Sequence, residues 1–375
     1  MANNNKHTGP NVPALRFPEF SGEWEKVLLS SACEINPKTG SLDNQFLYID
    51  LESVVKGSLV KRQIIEKDGA PSRAQRVLKE NDILYQCVRP YQLNNYIFEG
   101  DTIQCVASTG YAQLRTTQFP LYIFQALHTK QFTNQVLERC TGTNYPAINS
   151  SDLGTVEVPI CSLPEQVKIG SLLALIDSRI KTQSKIIEEQ ETFLKSLADK
   201  LFLQNNHYCQ LSEIVNIVKG KQLNADTLSE TGDYYVMNGG ITPSGYYSEY
   251  NVPAGAISIS EGGNSCGYVQ FNEKPFWSGG HCYSLQCRTN LVDYKYIYYY
   301  LKTKEADVMA LRIGSGLPNI QKKDIEKFTI SYPSLQLQKQ FVKALDALSG
   351  KINTEKNLLE KYCQKKSYLL SQMFI

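Results

Sequence analysis

The sequence predicts a mixed α/β (α+β) chain built twice. Two similar heads are each followed by a long helix, the two helices run antiparallel as a coiled coil, and a pseudo-two-fold relates the halves. Three observations predict this. A segment recurs at a constant offset of 172 residues, each copy carries an apolar heptad, and the stretches between the helices alternate as β-strands do.

The repeat sets the frame. GTNYPAINSSDLGTVEVPI at 142–160 returns as GSGLPNIQKKDIEKFTISY at 314–332, with Pro146 matching Pro318, Ile148 matching Ile320 and Asp152 matching Asp324. The match runs on ungapped to the C-terminus, where Leu163, Gln166, Leu173, Ile180, Leu197 and Phe202 recur as Leu335, Gln338, Leu345, Ile352, Leu369 and Phe374. Identity is weak, thirteen of 62 positions, so the hydrophobic phase carries the argument.

That phase is a heptad. Leu173, Ile176, Ile180, Gln183, Ile187, Gln190, Leu194, Leu197 and Leu201 alternate three and four residues apart. Leu345, Leu348, Ile352, Glu355, Leu359, Tyr362, Lys366, Leu369 and Met373 hold the same places in the second copy. Two matched helices of about 38 residues, ~57 Å long at 1.5 Å per residue, favour a coiled-coil seam over ordinary amphipathic surface helices. Polar residues on the seam fix register at some cost in stability. If the second helix packs back on the first, Ile375 ends near the first head.

The heads repeat more loosely. The stretches 82–117 and 255–290 each hold a β run, a turn-rich middle and a second β run. The divisions expected are a tail over 1–15, heads over 16–160 and 205–332, and helices over 161–204 and 333–375. A 375-residue, 42.3 kDa chain with 42% hydrophobic and 20% charged residues fits neither a disordered nor a fibrous class. A net charge of +2 excludes attachment to nucleic acid by bulk charge and leaves room for a local basic face. Tyrosine is abundant, at 23 residues, and those in Tyr294–Tyr300 read as core.

Residues 1–13 are polar and lack a signal-type apolar stretch, and no run approaches the roughly 20 residues of a membrane span. A cytoplasmic, non-membrane protein is expected. Ten scattered cysteines without a CxxC pair predict reduced thiols and no metal site. There is no phosphate loop, no HExxH, no GxSxG and no Asn-Pro-Pro-aromatic motif, so no catalytic residue is expected. Asn144-Tyr145-Pro146 belongs to the repeated turn and reads as structural.

LRFPEFSGEWEKVLLSSACEIN at 15–36, the two Gly-Thr/Ser-x-x-Pro-x-Ile turns, and PEQVKIGSLLALIDSRI at 164–180 stand in a telling order. In that order they resemble the specificity subunits of type I restriction–modification systems. The resemblance spans essentially everything after residue 13, and departs where Leu337-Gln338 stands for Glu165-Gln166. It implies that each head is a target-recognition domain reading one half of a bipartite, asymmetric double-stranded DNA target. The helices would set the spacing and dock two modification (methyltransferase) subunits, through helices whose seams hold Ile176, Ile180, Ile187, Leu194, Leu348, Ile352, Leu359 and Leu369. Those partners would use S-adenosylmethionine to methylate adenine, and restriction (motor/nuclease) subunits would bring ATP and Mg. No cofactor is expected on this chain. A two-headed protein-interaction scaffold without DNA specificity is the alternative.

Candidate DNA contacts follow from local charge and loop chemistry. Residues 56–79 carry a surplus of basic side chains, among them Lys61, Arg62, Arg73 and Arg76, suited to phosphates; a solvated surface hairpin is the alternative. Arg89, Tyr91, Gln92 and Asn94 lie between two β runs, and Arg pairs with guanine as Asn or Gln does with adenine. Turn chemistry explains the asparagines equally well. In the second head the counterpart loop, 261–267, holds Asn264, with Lys219, Lys221, Gln222, Trp277 and His281 nearby in the pattern; tight turns are the alternative.

Overall fold

The computed structural model describes residues 11–142, 144–203, 205–314, 316 and 318–375. The tail over 1–10, Gln204, and Thr143, Ser315 and Leu317 of the two repeated turns lie outside the described residues. The chain forms two compact units, residues 11–184 with 358–375, and residues 185–357. Among the described residues no helix is long and apolar enough to cross a membrane.

In the first unit, apolar alternation builds two four-stranded sheets. One has the order Cys33–Ile35, Tyr111–Thr116, Ile83–Gln86, Tyr96–Ile97, all antiparallel. The other has the order Gln63–Glu66, Gln45–Ile49, Cys105–Ser108, Ala74–Val77, with its two middle strands parallel. Ile83–Gln86 is buried along its whole length, and helices Pro120–Ala126 and Lys130–Glu138 contribute Tyr122, Ile123 and Phe132 to the same core. Pro120 suits a helix start because its missing N–H has no partner there anyway, and the Thr129 hydroxyl caps the second helix by accepting from Phe132 N–H. The basic stretch 56–79 is not one hairpin. A two-residue hairpin at Val54–Leu59 turns through Lys56 and Gly57, both at positive φ, while Gln63–Glu66 and Ala74–Val77 lie on opposite edges of their sheet.

The second unit repeats the plan. Val215–Lys219, Cys282–Cys287, Ala256–Ser260 and Val269–Asn272 form an antiparallel sheet in the same order as in the first unit. Tyr234–Met237 runs parallel to Trp277–Ser278, as Gln45–Ile49 does to Cys105–Ser108. The outer pair Glu25–Leu28 with Glu157–Ile160 returns as His207–Gln210 with Thr329–Tyr332. Helix Tyr294–Thr303 buries Tyr296, Tyr299 and Tyr300 and packs Tyr294 and Tyr298 against the same core, as expected of that run.

The long helices are Leu163–Phe202, of 40 residues, and Leu335–Met373, of 39. Every seam residue named above is buried or half-buried. In the first unit, Leu173 and Ile176 share a core with Leu369, Leu370 and Met373, and Lys366 Nζ lies 2.6 Å from Asp177 Oδ1. In the second, Leu197 and Leu201 share a core with Phe341 and Leu345, and further along Lys356 Nζ meets Glu191 Oε1 at 2.7 Å. Numbering falls along one helix as it rises along the other, so the pair is antiparallel.

Matched residues do matched work at both helix ends. Gln166 Oε1 accepts from Phe119 N–H while its Nε2 donates to Cys161 O; Gln338 does the same with Asp293 N–H and Pro333 O. Phe374 stacks on Tyr122 at 5.3 Å and meets Trp24 edge-on, whereas Phe202 meets Tyr296 and Tyr300 at 5.4 and 5.2 Å. Leu15 N–H donates to Gln372 O, so the C-terminus does end beside the first head.

Candidate nucleic-acid interface

In the first unit the chain leaves strand Ile83–Gln86 and enters the connection to Tyr96–Ile97. Arg89 takes a left-handed backbone, φ 53 and ψ 56, before the short 3-10 turn Pro90–Gln92. Side chains with a Cβ resist that region, so neighbours must hold it. The repeated turn does so. Arg89 N–H donates to Pro146 O at 2.8 Å, Ile148 N–H donates to Cys87 O at 3.0 Å, and Val88 bridges Ala147. The guanidinium carbon of Arg89 then lies 4.3 Å from the centroid of the Tyr145 ring, which is 63% exposed.

The other residues of this connection divide by role. Tyr91 is exposed. Gln92 Oε1 accepts from Gln86 Nε2 at 2.9 Å, and Asn94 N–H donates to Gln86 Oε1 at 3.1 Å. Asn94 Oδ1 accepts from Lys56 N–H, so its acceptor ties this connection to the Val54–Leu59 hairpin. Gln86, unremarked in the sequence, organises both.

The basic residues of 56–79 are spread apart. Arg62 Nη2 sits 2.6 Å from Asp101 Oδ2 and holds that carboxyl below its usual range, while Lys61 Nζ is 4.0 Å from Asp50. Arg73 is exposed, with no ion pair among the described residues. Arg76 is half-buried on its strand, and its Nε is enclosed with no hydrogen-bond partner among the described residues. Burial pushes its pKa down. A guanidinium in that state lacks an acceptor that an anion would supply.

The second unit gathers its candidates more tightly. Lys221 N–H donates to Ser278 O, and Trp277 Nε1 donates to Lys221 O at 2.8 Å. Gly220 permits this approach, since a Cβ there would meet Gly279 O at 2.2 Å. Gln222 is exposed, its Nε2 donating to Leu223 O, and a Cβ on Gly280 would meet its Oε1. Glu261, which sequence reading treated only as part of a glycine-rich loop, is the hub. Its Oε1 accepts from Lys219 Nζ at 2.6 Å and from the Tyr283 hydroxyl at 2.8 Å, and its Oε2 lies 3.6 Å from His281 Nδ1. Burial first, and the bond to Glu261 second, raise the Tyr283 hydroxyl pKa. His281 and Asn264 are exposed at the rim.

The two connections are structural counterparts. Ile320 N–H donates to Glu261 O, Gly262 bridges Asn319, and Gly263 N–H donates to Pro318 O at 3.0 Å. Cys87 and Glu261, Val88 and Gly262, and Arg89 and Gly263 therefore hold equivalent places. Tyr145 was within reach of sequence reading, because it stands in the repeated turn; Tyr283 sent no signal. The helix candidates sit inward: Ile187 and Ile352 are buried, and Ile176, Ile180, Leu194, Leu348, Leu359 and Leu369 half-buried. The large apolar residues that the long helices expose are others, including Leu175, Phe193 and Tyr368.

Known proteins resemble this chain in sequence and in fold. Residues 21–192 and 205–361 each match the type I restriction modification DNA specificity domain. A candidate type I specificity subunit of Mycoplasma genitalium is 27% identical over 270 residues, covering 68% of this chain and 70% of the relative. The type I restriction enzyme MjaVIII specificity subunit of Methanocaldococcus jannaschii is 36% identical over 80 residues, covering 20% and 19%. In fold, the crystal structure of the S subunit of a type I restriction–modification system from M. genitalium aligns with a TM-score of 0.71 at 21% identity, covering 97% of this chain and 99% of that one. With one matched domain in each half, this chain belongs to the type I restriction–modification DNA specificity family.

Proposed function

We propose that the chain is the non-catalytic specificity subunit of a type I restriction–modification enzyme, acting in the cytoplasm. Each head reads one half of a bipartite, asymmetric target. One observation carries the reading: two heads share a backbone frame, down to the bonds that hold the connections after Cys87 and Glu261, yet present different side chains from it. Different side chains on one frame suit different half-sites.

Within that reading, Lys61, Arg62, Arg73, Arg76, Lys219 and Lys221 position phosphates, and Arg89, Tyr91, Gln92, Asn94, Gln222, Asn264, Trp277 and His281 face bases. The heads are nearly neutral, which leaves grip on the duplex to larger partners. Those partners are two modification subunits, docked on the exposed flanks of the long helices, and restriction subunits. S-adenosylmethionine, ATP and Mg act on those subunits. Mapping adenine methylation genome-wide with and without this chain tests the proposal. Loss of one bipartite motif on deletion is expected. If no motif is lost, the scaffold alternative takes its place.

A further inference from the structure

We infer that Arg89, held against the Tyr145 ring, reads a guanine in the half-site of the first head, and that the second head reads no base from this position. The inference rests on the reading under Proposed function and names one contact within it.

The two heads solve one backbone problem in two ways. The residue after Val88 and after Gly262 must enter the left-handed region and donate its N–H to the proline carbonyl of the repeated turn. In the second head that residue is Gly263, φ 77, which meets no steric objection. In the first head it is Arg89, φ 53, whose Cβ the same backbone disfavours. The backbone gains nothing from an arginine here, so its use lies at the far end of the side chain.

That end is prepared. The guanidinium is in cation–π contact with Tyr145, at 4.3 Å from the ring centroid. No described residue accepts a hydrogen bond from it. Its N–H fork is therefore unspent, resting over a ring that is itself 63% exposed and that biases its position. A planar, pre-positioned fork matches the paired O6 and N7 acceptors of guanine in the major groove. Tyr145 is the positioning residue, lowering the ordering cost of the contact. Gly263 offers no such group.

The test uses the full chain co-expressed with its cognate modification subunits, with adenine methylation mapped across the genome. Arg89→Gly installs the second head's residue on a backbone that favours it, so the fold should survive, as a thermal melt will show. Expected is a motif that no longer requires guanine at one position of one half, with discrimination there falling roughly ten- to hundred-fold and the other half unchanged. Arg89→Lys should relax that requirement only in part, because an ammonium can still reach guanine O6 and N7 but lacks the rigid planar fork. Tyr145→Phe should keep the wild-type motif and Tyr145→Ala should relax it at the same position. An unchanged motif in Arg89→Gly overturns the inference alone. So does methylation reduced evenly at all sites but rescued by Arg89→Lys, which would make the contact a phosphate one. A wild-type chain that directs no motif overturns the specificity reading and this inference together.

Discussion

Arg16 and Glu165 form a two-pronged ion pair, Nε to Oε1 and Nη2 to Oε2, both at 2.8 Å, with side chains 2% and 1% exposed. It pins the start of the first head to the start of the first long helix. The second copy has no such pair, for Leu337 stands where Glu165 does and packs into the core of its own unit. A buried pair broken on one side leaves an unpaired charge inside. Arg16→Met should therefore cost about 3 kcal/mol, and adding Glu165→Leu should recover most of it; urea unfolding of the single and double variants measures both.

The terminal aromatics of the long helices should act on separate units. Phe374→Ala removes a ring packed on Tyr122 and Trp24, and Phe202→Ala one packed on Tyr296 and Tyr300. Each should cost about 3–5 kcal/mol. Hydrogen exchange should rise in residues 11–184 for the first and in 185–357 for the second. Equal loosening of both units by either variant would contradict this.

His128 gives the first unit an acid sensitivity. Burial, then the nearby Lys366 ammonium, lower its pKa from 6.5 to about 4, against the opposing pull of Phe124 O and Asp177. The folded chain thus refuses a proton that the unfolded chain accepts. Stability is full above about pH 6.5 and declines as the pH falls toward about 4, by up to about 3 kcal/mol. Unfolding midpoints of wild type and His128→Gln at pH 7.5 and 5 should converge at the lower pH.

Gly220 is a packing requirement of the Lys219–Gln222 loop. With Gly279 O at 2.2 Å and Ser278 O at 2.3 Å from any added Cβ, Gly220→Ala must move backbone. A loss of about 2–3 kcal/mol is expected, with Lys221 drawn away from Ser278. A melting temperature within a degree of wild type would show that the loop shifts freely.

Salt titration of DNA binding separates the two exposed arginines of 56–79. Arg73 has no counter-ion among the described residues, and Arg62 already holds Asp101. In the complex with modification subunits, Arg73→Ala should lower the slope of log K against log salt by about 1, and Arg62→Ala by clearly less. Equal slopes would place both on, or both off, the phosphates.

The parts of this architecture legible in the sequence are those whose evidence is periodic or repeated. Every residue the heptads named lies inward on the long helices, although Ile169, Ala198, Phe341 and Val342, which they did not name, are buried there too, and Gln166 with Gln338 flagged a junction used twice. Strand order was not legible. Nothing near Arg62 or Arg76 in sequence indicates that the strand following Arg62 and the strand holding Arg76 occupy opposite edges of one sheet, because Gln45–Ile49 and Cys105–Ser108 come between them only in space.

The sequence by itself determined the plan of two heads and two antiparallel helices, since helix seams follow from local spacing of apolar side chains and a repeat requires its fold twice. Tertiary structure alone decided which polar side chains are committed and which are left for a ligand. Asn94 and Arg89 sit five residues apart in one connection, yet the Asn94 acceptor serves Lys56 N–H while the Arg89 fork rests unspent against Tyr145. Hydrogen bonds and ring contacts of this kind join residues distant in the chain, and composition cannot report them.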